Sequence, residues 1–231
     1  MSDSALVVMA RYPEKGKIKT RLAQSIGDEN TQRLYHAFLT DIAQKFAGGD
    51  CDLYWAYTPA GVDFERFIAM LTRLDAAWCR SFPQQGAELG ARLLAVFQAM
   101  YARHLQKTVV IASDSPHISR GVISQAREAL NSTDVVLGPA DDGGYYLIAM
   151  REPHDVFSNI PMSTQDVLRM TLDKAHDQGL SVQLLEPLFD VDELPELVRL
   201  AHLLEREQAL APATAACLAQ IIPAYYMKEI V

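Results

Sequence analysis

Arg11, Lys15, Lys17, Lys19 and Arg21 crowd five basic side chains into one short stretch, opposed only by Glu14. This happens in a chain with 21 basic and 29 acidic residues, a formal charge of −8 at pH 7. From Lys15 to Arg21 the cations fall on alternate positions, so an extended segment would aim them to one side. Packed like charges repel, and a bound anion relieves them, although a solvated loop also tolerates them. Three acidic segments stand out elsewhere: Ser113-Asp114-Ser115-Pro116, Asp141-Asp142-Gly143-Gly144 and Asp190-Val191-Asp192. Carboxylates facing cations across a gap would hold a hard divalent ion, Mg or Mn, over phosphate oxygens that the cations neutralise.

Such chemistry needs elements that bring the segments together. Ala5-Leu6-Val7-Val8-Met9-Ala10 is an unbroken apolar run leading into the basic loop, the pattern of a strand buried on both faces. From Thr31 onward Leu34, Phe38, Ile42 and Phe46 recur every four residues, predicting a helix that ends at Gly48-Gly49. Strands are then predicted at 51–57, 77–81, 108–112, 134–137, 145–150 and 182–185. Helices are predicted at 62–74, 89–101, 121–130, 166–178 and 194–210, with a further helix and a tail carrying Tyr225 and Tyr226 within 212–231. Strands alternating with helices imply parallel pairing and a layered α/β fold. No internal repeat or long linker interrupts the chain, so a single domain over residues 1–231 is expected. In an open α/β sheet the ligand sits beyond the carboxyl ends of the strands. The basic loop and all three acidic segments fall at such ends.

Each segment also has a plainer reading. Asp114 before Ser115-Pro116 equally suits a helix cap or a turn, because Asp and Ser accept bonds from backbone amides there. Asp142-Gly143 is a hairpin signal, and the glycine pair equally relieves a tight backbone path. Asp190 and Asp192 would point the same way in an extended chain, or lie at a solvated strand edge or helix start. Gly16-Lys17 lacks the spacing of a Walker loop, and neither a G-x-S-x-G elbow nor a G-x-G-x-x-G fingerprint occurs. The six histidines show no metal-ligand spacing. His117 lies close to Ser115, where a surface role is the simpler assignment.

Composition narrows the classes further. With 49% hydrophobic and 22% charged residues the chain has the makings of a globular core. Cys51, Cys79 and Cys217 are far apart and form no C-x-x-C pair, which argues against a disulfide framework or a thiolate zinc site and for a reducing compartment. No apolar run approaches the roughly 18 residues of a membrane helix. The first apolar stretch follows Asp3 instead of a basic segment, so a cytoplasmic location is expected. An acidic chain is a poor match for nucleic acid, which leaves small-molecule chemistry.

With these residues assembled, the sequence resembles a bacterial family assigned to the glycosyltransferases with the glycosyltransferase A, or nucleotide-diphospho-sugar transferase, fold. The likeness runs over nearly the whole chain. It is carried by Lys19-Thr20-Arg21-Leu22, Gln85-Gly86-Ala87-Glu88-Leu89-Gly90-Ala91-Arg92, Ser113-Asp114-Ser115-Pro116, the segment from Gly138 to Ile148, and Asp190-Val191-Asp192. The basic segment also looks like that of 2-phospho-lactate guanylyltransferase, and the molybdenum cofactor guanylyltransferases share the fold. The chain departs from the family pattern at Ala112, where glycine is usual, and at Met162, where tryptophan is expected after Ile160-Pro161. The resemblance implies a three-layer, Rossmann-like, mostly parallel sheet. It also implies that Asp114 and Asp192 are metal ligands and that Lys19 and Arg21 bind phosphates.

The expected activity is a metal-dependent transfer of sugar from a nucleotide diphosphate donor to a small-molecule acceptor that the sequence does not name. Asp114 takes part in the chemistry as well as holding Mg or Mn. Asp142, directly before the glycine pair at a strand end, is the second candidate catalytic carboxylate. Arg11, Lys19, Arg21, Gly143 and Gly144 are expected around the nucleotide, the glycines because residues without Cβ allow close approach. Two alternatives stay open. One is a nucleotidyltransferase acting on a nucleoside triphosphate and releasing pyrophosphate; the other is a nucleotide-binding module without turnover.

Overall fold

The computed structural model describes residues 3–75, 78–162 and 164–221. Tyr225 and Tyr226 lie outside them. The predicted apolar run forms β1 (Ser4–Arg11), and the sheet grows on both sides of it. The other strands are β2 (Asp52–Thr58), β3 (Ser81–Pro83), β4 (Lys107–Ala112), β5 (Val135–Pro139), β6 (Tyr145–Met150) and β7 (Val182–Leu184). They form one seven-stranded sheet in the order β3-β2-β1-β4-β6-β5-β7. Val7 of β1 stands beside Tyr54 of β2 and Val110 of β4, both pairings parallel.

The sheet is mostly parallel, as expected, and the one departure from the parallel pairing that strand–helix alternation implies is β6. β6 runs antiparallel to both β4 and β5, because only the short loop 140–144 separates it from β5 and a parallel return would need a crossover of a dozen or more residues. The hairpin signal of Asp142-Gly143 is thus used between neighbouring strands. β5 and β7 pair in parallel and point the same way as β1 and β4, so the sheet is mostly parallel.

Alternation along β1 divides the core into two layers. Leu6, Val8 and Ala10 face one apolar cluster, Ala5 and Val7 the other. The first cluster is covered by α1 (Thr20–Ile26), α2 (Asp28–Phe46), α3 (Phe64–Thr72), α5 (Arg120–Ala129), α7 (Leu194–Arg206) and α8 (Pro212–Ile221). The second is covered by α4 (Leu89–Tyr101) and α6 (Val167–Asp177). This is the three-layer arrangement that the resemblance implies.

Several boundaries move for local reasons. The helix expected over 62–74 is α3, which starts one residue after Asp63, whose side chain accepts the Arg66 amide, and stops where Arg73 turns left-handed. The short strand expected at 77–81 lies further along as β3, sharing only Ser81 with that range, and the helix expected to reach Leu210 breaks at Glu207 into a 3-10 turn over Gln208–Leu210. The segment from Lys15 to Arg21 is not extended. It bends through a turn and enters α1, so the four cations do not share one side.

Candidate functional site

All strands except β6 end on the same edge of the sheet, and the loops after β1, β4, β5 and β7 meet there. The segment after β7 runs along the ends of its neighbours. Leu188 donates its amide to Pro139, Ser115 donates its hydroxyl to the Phe189 carbonyl at 3.1 Å, and Val191 donates its amide to the Asp114 carbonyl at 3.1 Å. This zipper sets Asp192 beside Asp114 although the two are far apart in the chain.

Lys19 completes the cluster. As the residue before α1 it adopts φ 40° and ψ 52°, the left-handed region, and its side chain turns inward. Lys19 Nζ lies 2.6 Å from Asp114 Oδ1 and 3.2 Å from Asp192 Oδ1, and it donates to the Val191 carbonyl at 2.7 Å. Only 6% of this side chain is exposed. Burial alone would lower the Lys19 pKa, but Asp114 and Asp192 outweigh it and hold the ammonium above its ordinary value. Arg21, mostly exposed, reaches Asp192 Oδ2 at 3.5 Å and Glu193 Oε1 at 3.0 Å.

A cavity of about 440 Å³ opens at this edge, lined by Arg11, Lys17, Lys19, Arg21, Thr58, Gln84, Leu89, Ala112, Asp114 and Asp192 among others. Of the basic loop, Lys15 is absent from the lining, and Lys17 pairs with Glu14 at 2.5 Å. Arg11 contributes through its main chain as well: its amide donates to Tyr35 Oη at 3.0 Å, and that hydroxyl shares a hydrogen bond with Ser113 Oγ at 2.8 Å. Burial, helped by the Asp114 charge, pushes the Tyr35 phenol up to about 12, so it stays neutral. Gln84 fixes the strand ends opposite, donating to the Ala56 carbonyl at 2.8 Å and the Ala10 carbonyl at 3.3 Å. Neither Tyr35 nor Gln84 stands out in the sequence. Tyr35 falls on the buried stripe of α2 beside Leu34 and Phe38, and the clue was a hydroxyl on an apolar face.

Asp142, Gly143 and Gly144 do not line this cavity. Asp142 Oδ1 accepts the Gly144 amide at 2.8 Å and so shapes its own turn. Gly143 has φ +89°, and a Cβ there would stand 2.2 Å from the Gln165 carbonyl oxygen, so the close approach that demands glycine is to the chain itself. The Gly143 carbonyl accepts the Leu168 amide at 2.9 Å, tying the turn to the start of α6. Asp142 nevertheless belongs to the same field. Desolvation raises the half-buried Asp190 to about 6, with Asp142, Asp192 and Asp114 adding to the effect. Of the two departures from the family pattern, Ala112 lies on the cavity wall, and Met162 packs against the first turn of α4 beside Gly90.

The donor set fits a hard divalent ion. Asp114 and Asp192 aim carboxylate oxygens at one point that already attracts a cation, the Lys19 ammonium. Among the described residues no three His, Cys, Asp or Glu side chains gather as a complete metal cage. Among the described residues no helix is long and apolar enough to cross a membrane.

The architecture has close counterparts. A crystal structure from Desulfovibrio desulfuricans G20, of a protein named provisionally as a nucleotide-diphospho-sugar transferase, superposes with a TM-score of 0.89 at 29% identity, covering 99% of this chain and 98% of that one. A nucleotidyl transferase from Methanothermobacter thermautotrophicus matches with a TM-score of 0.55 at 14% identity, over 88% of this chain and 98% of its own. The 4-diphosphocytidyl-2C-methyl-D-erythritol synthase of Anaerococcus prevotii DSM 20548 gives 0.56 at 8% identity, over 89% and 100%. The fold is that of the nucleotide-diphospho-sugar transferases. No curated protein matches the sequence. The model of a family described as "uncharacterized protein conserved in bacteria (DUF2064)" matches residues 42–164, more than half of the chain, and the chain belongs to that family.

Proposed function

We propose that this protein is a metal-dependent transferase that takes a nucleotide diphosphate sugar and passes the sugar to a small acceptor. The observation that carries this reading is the convergence of Lys19 and Arg21 with Asp114 and Asp192 at the strand-end edge, on the wall of a cavity of about 440 Å³. The near full-length likeness to the Desulfovibrio protein, with its provisional name, supports it. Asp114 and Asp192 would hold Mg or Mn. The ion, when bound, would supply charge to the diphosphate leaving group. Lys19, Arg21 and Arg11 would neutralise the same group as the bond between the sugar and the diphosphate breaks. Asp142 is the proposed second catalytic carboxylate; its turn bond engages Oδ1. Gly143 and Gly144 would serve the nucleotide indirectly, by shaping the turn that carries Asp142.

A second reading rests on the same cations. Lys19 and Arg21, joined by Lys17 on the cavity wall, also suit the departing pyrophosphate of a nucleoside triphosphate, which makes the protein a nucleotidyltransferase. The product separates the two. Incubation with nucleotide sugars or nucleoside triphosphates, Mn and an acceptor library should release nucleoside diphosphate on the first reading and pyrophosphate on the second. Binding with neither product would identify a module without turnover. A thermal-shift screen with and without Mn should come first, because a ligand of the native state raises its melting temperature.

A further inference from the structure

The cations assigned to phosphate and the carboxylates assigned to metal are paired with each other in this structure. Lys19 Nζ takes Oδ1 of both Asp114 and Asp192, and Arg21 takes Oδ2 of Asp192 and Oε1 of Glu193. The ammonium stands where an ion bridging those carboxylates would stand, and two cations cannot share that place. Exposure is uneven: about a third of the Asp114 side chain and 40% of that of Asp192 are open, against 6% for Lys19.

We infer that Lys19 is a displaceable internal counter-ion, which leaves Asp114 and Asp192 for a diphosphate as the carboxylates take up a metal, so that metal and diphosphate bind as a coupled pair. The inference rests on the site assignment under Proposed function and adds the order in which that site fills. Either ligand alone breaks the network without repairing it. Metal alone strands the Lys19 ammonium, whereas diphosphate alone draws Lys19 away and leaves Asp114 and Asp192 repelling one another. Both together compensate every charge, and that difference is a positive coupling between two binding events. The backbone is consistent with exchange. A residue other than glycine persists in the left-handed region only when its surroundings hold it there, and the Nζ contacts to Val191, Asp114 and Asp192 anchor Lys19. Loss of those contacts frees the start of α1, which carries Arg21, to follow.

Calorimetric titration of the full chain tests this with Mn²⁺ alone, pyrophosphate alone in the presence of a chelator, and the preformed Mn–pyrophosphate complex. The complex should bind at least ~10-fold more tightly than either part, within the usual range of allosteric coupling. In Lys19→Met, Mn²⁺ alone should bind about 10-fold more tightly than in the parent, whereas Lys19→Arg should keep the parent's behaviour. If Lys19→Met does not fold, the Mn²⁺ affinity of Lys19→Gln decides the matter in its place, with the same tightening expected. Asp192→Asn, which loosens Lys19, should also strengthen pyrophosphate binding without metal. Independent binding of Mn²⁺ and pyrophosphate to the parent would overturn the inference and leave the proposed function standing. A folded Lys19→Met with unchanged Mn²⁺ affinity would do the same. Failure of all three titrations in the parent would overturn both.

Discussion

Lys19 is nearly buried and its nearest partner Asp114 about a third exposed, and this determines what removing either one does. Asp114→Ala should lower the stability of the ligand-free protein by about 2–3 kcal/mol, because a desolvated ammonium loses its nearest partner. A helix-capping role would also cost stability, so the discriminating measurement is a double-mutant cycle. Lys19→Met combined with Asp114→Ala should recover about 1–2 kcal/mol relative to additivity in urea unfolding. His117 gives a second residue-level prediction. It is buried against Phe189, with ring centroids 4.3 Å apart, and neither ring nitrogen has a hydrogen-bond partner. Burial lowers its pKa to about 4, and the Lys45 and Arg199 charges, on α2 and α7, push the same way. The unfolded histidine takes up a proton near 6.5, so between that value and about 4 the unfolded chain holds more protons and stability falls as pH falls. Relative to His117→Phe, the parent should lose about 2 kcal/mol between about pH 7 and about pH 5. Equal slopes for the two proteins would show that His117 is not held neutral. Its burial is not legible in the sequence, where a surface role is the simpler assignment, because nothing in its neighbours announces that Phe189 covers it.

At the level of elements, helices and strands with a long apolar period were legible, and those fixed by a single distant contact were not. The repeat of Leu34, Phe38, Ile42 and Phe46 marked α2, but α1 was hidden. Its seven residues carry one buried side chain, Leu22, and it begins after a left-handed Lys19 whose side chain sits on Asp114 and Asp192. The four acidic and basic strand-end loops were legible because α/β topology alone sends them to one edge, whereas the direct pairing of Lys19 with the carboxylates depends on a left-handed backbone that no local pattern announces. α8 depends on another distant contact. Asp41, on α2, accepts the amides of Ala213 at 2.8 Å and Thr214 at 2.7 Å and so caps α8 from outside. Asp41→Ala should cost about 1–2 kcal/mol and speed amide exchange in the first turn of α8 more than elsewhere. The turn between β5 and β6 is constrained just as locally. Gly143→Ala must place a Cβ against Gln165 at positive φ, and should lower stability by about 1–3 kcal/mol while loosening the start of α6. Unchanged stability with weakened diphosphate binding would instead return this glycine to the ligand.

One hydrogen-bonded sheet runs through the described residues, and both apolar layers pack on it. The chain should therefore melt in a single calorimetric transition, with calorimetric and van't Hoff enthalpies in agreement. Two resolved transitions would place a domain boundary where the sequence shows no linker. The antiparallel strand has a consequence for synthesis. β4 and β5 precede β6 in the chain, yet β6 lies between them, so both present bare amides and carbonyls until residues 145–150 arrive. Until a ribosome has released that stretch, β4 keeps one unprotected edge and β5, whose other neighbour β7 comes later still, is bare on both sides, exposing backbone of the kind that recruits other chains. A nascent fragment stalled just before Tyr145 should therefore depend on chaperones far more than one stalled a few dozen residues after Met150.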